Sequence, residues 1–302
     1  MIKVLKYFFR TLPISYQIKL KKRVSLFYYD AGFGDTLLIA AVAREVKRKY
    51  GNKIKVTVNT QKHNLLLNNP NIDTISNRHY GIDLNYHYGK YQAHNSFTEN
   101  LIEIMCKKVA INNPEHKVDI YLSEKEISAA QKKVSNIKKP FVTIQAISGS
   151  FDAGRKLWPI EQWIDLVSKL NNLGITVIQL GSENENYIQG TTNMTHLKEI
   201  RESVAIINEA SLHIGVVSSF MHAAAATNTD SIILFGGFEK YSAHQYINIT
   251  PIESNIECAP CGKTNQKILP CPNNNRCMNE IPPEKIIEIV KKKLNLNGVQ
   301  NG

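Results

Sequence analysis

The 302-residue chain is 43% hydrophobic and 21% charged, with 16 Gly and 11 Pro, which excludes a wholly disordered or a collagen-like polypeptide. Its length exceeds what one hydrophobic core commonly organises, so two domains of about 150 residues each are expected. Thirty-seven Lys and Arg against 26 Asp and Glu give +11 with histidines neutral. A surplus of that size invites nucleic acid, an anionic membrane or a negatively charged small substrate as partner.

The charge is concentrated at one end. Residues 1–23 hold Lys3, Lys6, Arg10, Lys19, Lys21, Lys22 and Arg23 and no acid. Setting those seven aside leaves 30 basic against 26 acidic residues, a balance of +4, for residues 24–302. A mildly basic body with no single-sign stripe argues against nucleic-acid binding. Within the basic end, Ile2, Leu5, Phe9 and Leu12 repeat at helical spacing opposite Lys3, Lys6 and Arg10, up to Pro13. Such a segment either lies on an anionic bilayer or docks its apolar face on the following domain, and both readings stand. Charges interrupt the apolar residues, so no secretory leader is expected, and no run of 18 apolar residues spans a bilayer. The expected address is cytoplasmic, with peripheral contact at the inner face of a membrane as an option.

In chain order, Val24–Asp30 reads as a strand, 31–35 as a glycine loop and Thr36–Tyr50 as a helix, capped by Asp35 and stopped by Gly51. Strands follow at Ile54–Asn59, Ile72–Ser76 and Ile82–Leu84, with a helix through Leu65–Leu67. Residues 86–95 read as a loop and Phe97–Val109 as a helix. Val118–Leu122 is a strand candidate, and Ser123–Ile137 a helix whose Ser123 and Glu126 form a capping box. Lys138-Lys139-Pro140 breaks the pattern and marks the expected boundary between domains 24–139 and 140–302. The second half gives strands at Phe141–Ala146, Thr176–Leu180, Leu212–Val217 and Ser231–Phe235. Helical stretches lie at Pro159–Leu173, near Glu185–Gly190, at Glu202–Ala210 and at Phe220–Thr227. Strands joined by helical crossovers imply parallel sheets, hence an α/β chain of two Rossmann-like domains.

Ligands of open parallel sheets bind beyond the carboxyl ends of the strands. In the second half those ends run into Ser148-Gly149-Ser150, Gly181-Ser182, Ser218-Ser219 and Gly236-Gly237, with Arg155 and Lys156 in the first loop. Small residues let a ligand approach the backbone, and a helix start offers N–H groups to phosphate. The set suits a nucleotide diphosphate, although each loop alone is ordinary. The first-half loop Gly32-Phe33-Gly34-Asp35 lacks the third glycine of a dinucleotide fingerprint, which disfavours a nicotinamide oxidoreductase. Asp35 at a helix start is either a plain cap or, once substrate desolvates it, a general base.

Gly34-Asp35-Thr36-Leu37-Leu38, the basic helix after it and Asn69-Pro70-Asn71-Ile72-Asp73 resemble the start of glycosyltransferase family 9, the ADP-heptose:lipopolysaccharide heptosyltransferases. The resemblance continues through Lys156-Leu157-Trp158-Pro159, Gly181 to Glu185, Ser218 with Met221-His222-Ala223-Ala224, Phe235-Gly236 and the terminal cysteines. It implies a GT-B architecture, with an acceptor-binding N-domain and a nucleotide-sugar-binding C-domain facing a cleft. It also implies inverting transfer from a nucleotide-diphosphate sugar, an ADP-sugar first, to a cell-surface glycan precursor or protein hydroxyl, with no catalytic cofactor. By position, Asp35 would be the base and Lys156 would neutralise the diphosphate. Glu185 would hold the ribose. The Ser148-Gly149 loop, Ser218 and Ser219 would line the phosphates, with His222 one turn further in, where a packed core histidine is the competing reading. The family reads Asp-Ser-Gly or Asp-Thr-Gly where this chain has Val217-Ser218-Ser219. A valine makes no hydrogen bond to a sugar, so donor choice is expected to differ, and a non-catalytic sugar-nucleotide-binding or scaffolding descendant is the alternative.

Cys106, alone on an apolar helical stretch, reads as a buried hydrophobe. Cys258, Cys261, Cys271 and Cys277 form C-x2-C-x9-C-x5-C. Four thiolates suit tetrahedral zinc or iron in a structural site that stiffens the 258–277 loop, against free or paired thiols.

Overall fold

Two parallel sheets carry the chain, one in each of two units, residues 1–121 and 122–302. The structure is a computed structural model that describes residues 12–28, 31–86, 99–147, 153–261 and 271–296. The expected amphipathic run over 2–12 therefore falls almost wholly outside the described residues, as does most of the 86–95 loop.

In the first unit the sheet runs β3 (Thr74–Ser76), β2 (Lys55–Asn59), β1 (Arg23–Phe27), β4 (Ile82–Asp83), all parallel. Val24 and Leu26 of β1 pair with Val56 and Val58 of β2, and all four side chains are buried. The helix Phe33–Tyr50 covers them with a continuous apolar face from Leu37 to Val46, broken only by Arg44 and Glu45. Gly51 ends it, its N–H bonding Lys47 O at 2.9 Å. Asp73 ties this helix to the sheet by accepting from Lys47 Nζ at 2.6 Å, Lys55 Nζ at 2.8 Å and the Val56 amide at 2.8 Å. Burial opposes its ionisation, but hydrogen bonds from Lys47 and Lys55 outweigh that and hold the carboxyl far below its ordinary range.

Three expected elements of this half differ. The helix through Leu65–Leu67 is a single 3₁₀ turn, His63–Leu66. The helix expected over Phe97–Val109 spans Leu101–Lys107, because Asn100 caps it through Ile102 N–H at 2.9 Å. Val118–Leu122 joins no sheet. The adjoining carbonyls of Glu115 and Lys117 accept from the Arg44 guanidinium at 3.0 and 2.9 Å, and Asp119 pairs with the same group.

The second unit holds a six-stranded parallel sheet in the order β10 (Ile249–Glu253), β9 (Ser231–Gly236), β8 (Leu212–Val216), β5 (Phe141–Gln145), β6 (Thr176–Gln179), β7 (Thr192–Asn193). Every residue of β5, β8 and β9 is buried. Trp163, Leu166, Val167 and Leu170 of the helix Ile160–Asn172 pack on them, together with Ile286 and Val290 of the helix Pro283–Lys293. Trp158 locks this layer, standing edge-on to Trp163 at 4.9 Å and donating its Nε1–H to Ile281 O at 3.0 Å.

The division between units lies at Tyr121/Leu122, upstream of Lys139-Pro140. The helix Glu124–Val134 starts with the capping box, Ser123 N–H reaching Glu126 Oε2 at 2.7 Å. It goes with the second unit because Glu126 also takes a bidentate pair from Arg201 on the helix Ile200–Glu209. Glu185–Gly190 forms a turn rather than a helix, since Gln179 captures its backbone from the end of β6: Asn186 O accepts from Nε2 at 2.9 Å and Ile188 N–H donates to Oε1 at 2.8 Å.

Candidate functional site

In the first unit the carboxyl ends of β1, β2 and β3 open on a hollow lined by Phe27, Tyr28, Asn59, Thr60, Asn77, Arg78 and His79, among others. Asp35 sits beside this end of the sheet, but not as the expected N-cap. The helix begins at Phe33 with Gly32 as its cap, so Asp35 occupies the third helical position. From there its Oδ2 accepts the Gly32 N–H at 2.8 Å, and Oδ1 accepts the hydroxyl of Tyr86. Tyr86 in turn stands edge-on to Tyr28, ring centroids 5.5 Å apart. The half-exposed carboxylate is thus aimed by two donors from two segments and still reaches solvent. Lys62 lies over the Phe33 ring at 4.8 Å, which adds a cation to the same end of the unit.

In the second unit the loops after β5, β8 and β9 supply the polar side chains. Ser148 and Gly149 lie outside the described residues. Lys156 ends the short helix Ala153–Lys156, with its ammonium 4.7 Å from the Phe238 ring centre and 2.7 Å from Glu239 Oε1. Glu239 Oε2 meets His244 Nε2 at 3.0 Å. The His244 ring stands edge-on to that of His222 at 5.2 Å, and His222 Nδ1 bonds Tyr246 Oη at 2.8 Å. Lys156 and His222 therefore belong to one buried polar chain, and its linking members Glu239, His244 and Tyr246 were not anticipated from sequence. Burial alone would raise the Glu239 pKa, but the charge of Lys156 and the His244 hydrogen bond keep it a carboxylate far below the ordinary range. Burial, aided by His244, pushes His222 well below its usual value and holds it neutral.

Ser218 caps the helix Ser219–Ala226, its Oγ accepting the Phe220 N–H at 3.2 Å and donating to Gln145 at the end of β5. Ser219 is the first residue of that helix, at the carboxyl end of β8. Val217, at the position where the family motif has an acid, is 5% exposed. Glu185 folds back on the turn after β6, Oε1 accepting the Ser182 N–H at 2.9 Å. A side chain at Gly181 would lie 2.3 Å from this carboxylate, which would have to move aside to admit it. Glu185 Oε2 is buried with no hydrogen-bond partner among the described residues, and burial raises the pKa of the group. An orphaned acceptor at a strand end suits a ligand hydroxyl.

The cysteine block adjoins the loop after β9. A side chain at Gly237 would lie 3.2 Å from Cys277 Cβ, and the Cys261 N–H donates to Gly237 O at 2.9 Å. Burial raises the Cys261 and Cys277 pKa values, and the neighbouring charges of Cys258 and Cys271 add to it in both. None of the four forms a disulfide, and among the described residues no three His, Cys, Asp or Glu side chains gather closely enough to hold a metal ion. Cys106 is fully buried, as expected, and burial pushes its thiol up to about 12.

A family model described as glycosyltransferase family 9 (heptosyltransferase) matches residues 91–271. Among solved structures, the chain is similar to a glycosyl transferase family 9 protein from Veillonella parvula, at 15% identity over 91% of this chain and 97% of that one, with a TM-score of 0.64. The iron-containing dodecameric glycosyltransferase TibC of enterotoxigenic E. coli aligns at 16% identity over 91% and 80% of the two chains, TM-score 0.71. ADP-heptose lps heptosyltransferase II of E. coli aligns at 13% over 91% and 100%, TM-score 0.65. No curated protein matches the chain by sequence.

Proposed function

Because the chain belongs to glycosyltransferase family 9, we propose that this glycosyltransferase moves a heptose or related sugar from a nucleotide-diphosphate donor to a hydroxyl of a cell-surface glycan precursor or protein, with inversion. The observation that carries this reading is the largely enclosed ammonium of Lys156 in the loop after β5, whose charge acts on His222 of the serine-capped helix after β8. A cation and a helix start at the carboxyl end of a parallel sheet are what a diphosphate needs. The printed names of two structural relatives support ADP as the nucleotide: one is an ADP-heptose heptosyltransferase and another a heptosyltransferase in complex with ADP.

In the proposed mechanism the acceptor hydroxyl attacks the anomeric carbon as Asp35 takes its proton, and the bond from that carbon to the diphosphate oxygen breaks. Lys156 stabilises the charge that grows on the departing diphosphate. Glu185 Oε2, short of a partner, accepts from a ribose hydroxyl. Ser218 and Ser219 present the helix start to phosphate. No step calls for a cofactor.

Two further assignments are ours. The four cysteines hold a structural zinc or iron, supported by the soft donor set and by Cys261 and Cys277 lying against Gly237. The protein is assigned to the cytoplasm, with its N-terminal segment resting on the anionic inner face of a membrane. Tyr16 and Leu20 of the helix Ile14–Lys21 support this by standing exposed beside Lys19, Lys21, Lys22 and Arg23. Among the described residues no helix is long and apolar enough to cross a membrane.

The test is release of nucleoside diphosphate from a panel of nucleotide sugars offered with glycan-precursor and protein acceptors. Acceptor-dependent release with one donor supports the proposal. Donor binding without transfer to any acceptor would instead favour the non-catalytic reading, which the buried Val217 motivates.

A further inference from the structure

The carboxylate beside Lys156 has no part in the steps above. Glu239 lies three residues past the end of β9, its side chain 8% exposed, and its Oε1 is 2.7 Å from an ammonium that is itself only 12% exposed. Its other oxygen is held by His244 Nε2 at 3.0 Å, and the Phe238 ring lies 4.7 Å from the same ammonium. Lys156 is thus not a free cation awaiting an anion. It already carries a buried counter-ion, fixed from behind by a histidine.

We propose that Glu239 is an internal counter-ion that competes with the donor's diphosphate for Lys156, and so discriminates the nucleotide sugar from the free nucleoside diphosphate left after transfer. This rests on the reading of Lys156 as the diphosphate's ligand. A diphosphate oxygen that reaches the ammonium comes within a few ångströms of the Glu239 carboxylate, where partly buried like charges repel strongly. The repulsion scales with the charge brought in. A nucleotide sugar has one charge on each phosphate. The free nucleoside diphosphate ends in a monoester, whose second ionisation at a pKa of about 6 adds another charge. Glu239 therefore weakens the product more than the donor and hastens its departure. Val217 sharpens the point: the loop after β8 brings no carboxylate at that position, whereas the neighbouring loop after β9 brings Glu239.

Glu239→Gln preserves shape and an acceptor for Lys156 while removing the charge, and Glu239→Asp draws the charge back by one methylene. Affinities are measured by calorimetry at about pH 7.5, where the terminal monoester is mostly doubly ionised. The ligands are the four common nucleoside diphosphates, their hexose esters and the bare nucleosides. We expect Glu239→Gln to tighten the bound nucleoside diphosphate about tenfold and its sugar ester about threefold. Glu239→Asp falls between, and nucleoside affinity stays unchanged. In a Lys156→Met background every diphosphate ligand binds more weakly than to the wild type while the nucleosides do not, and Glu239→Gln still tightens the diphosphate, because the repulsion between the two anions is direct. Equal or weaker diphosphate binding by Glu239→Gln overturns the proposal, as does a gain for the sugar ester as large as that for the free diphosphate. If the wild-type protein binds none of these ligands, the reading of Lys156 fails, and this inference fails with it.

Discussion

Asp35→Asn separates two roles that one carboxylate plays. The amide retains an oxygen for the Gly32 N–H and presents an NH₂ to the Tyr86 hydroxyl, so both contacts of the native side chain keep a partner. What is lost structurally is a negative charge in the first turn of the helix, worth about 0.3–1 kcal/mol, together with the extra strength of charge-assisted bonds. At about 1 kcal/mol in all, the unit's melting temperature falls by a few degrees. What is lost chemically is the base. General base catalysis contributes about 10²–10⁴ in rate, and at about 1.4 kcal/mol per decade that is roughly 3–5 kcal/mol of barrier. The catalytic effect therefore exceeds the structural one severalfold, and the two are measured apart: kcat/KM by nucleotide release, stability by thermal melting, donor affinity by calorimetry. The account expects kcat to fall at least a hundredfold with donor affinity unchanged. Turnover within tenfold of wild type would show that Asp35 is only a helix-start residue.

Three other outcomes follow from particular contacts. Hydrogen bonds from Arg201 hold Glu126 down at about 2, below its ordinary 4.5, so it stabilises the fold above about pH 4.5 and loses that contribution as pH falls towards 2. Melting temperatures of wild type and Glu126→Gln should differ most near neutrality and converge across that window; a constant gap would refute the assignment. Elemental analysis of the native protein should find about one equivalent of zinc or iron, lost in Cys277→Ser, and metal-free folded protein would remove the metal proposal. Truncating residues 1–22 should abolish co-sedimentation with vesicles rich in phosphatidylglycerol, and equal sedimentation of both forms would remove the membrane role.

Periodicity made most strands and helices legible, because each buries its apolar positions on one parallel sheet. The strand β10 is hidden in the sequence by Pro251 inside it, which only an edge strand accommodates. The turn after β6 reads as helical in the sequence, because what fixes it is Gln179 of the preceding strand rather than anything within the turn. In the candidate site, Lys156 stands out from its loop, whereas Glu185 is picked out only by the family resemblance. Glu239 was within reach, being two residues past a Gly-Gly loop already singled out, but a lone acid carries no signal until the fold brings a lysine to it. Tyr86 lies 51 residues from Asp35, and His244 and Tyr246 lie more than twenty from His222, so only the tertiary structure joins them.

The central claim is that the carboxyl end of the second unit's sheet is a nucleotide-sugar site. A crystal structure with a bound nucleotide sugar tests it most directly. The account predicts a diphosphate oxygen within hydrogen-bond distance of Lys156 Nζ and a ribose hydroxyl on Glu185 Oε2. A ligand bound elsewhere, with the Lys156–Glu239 pair untouched and Glu185 Oε2 still unpartnered, would contradict it.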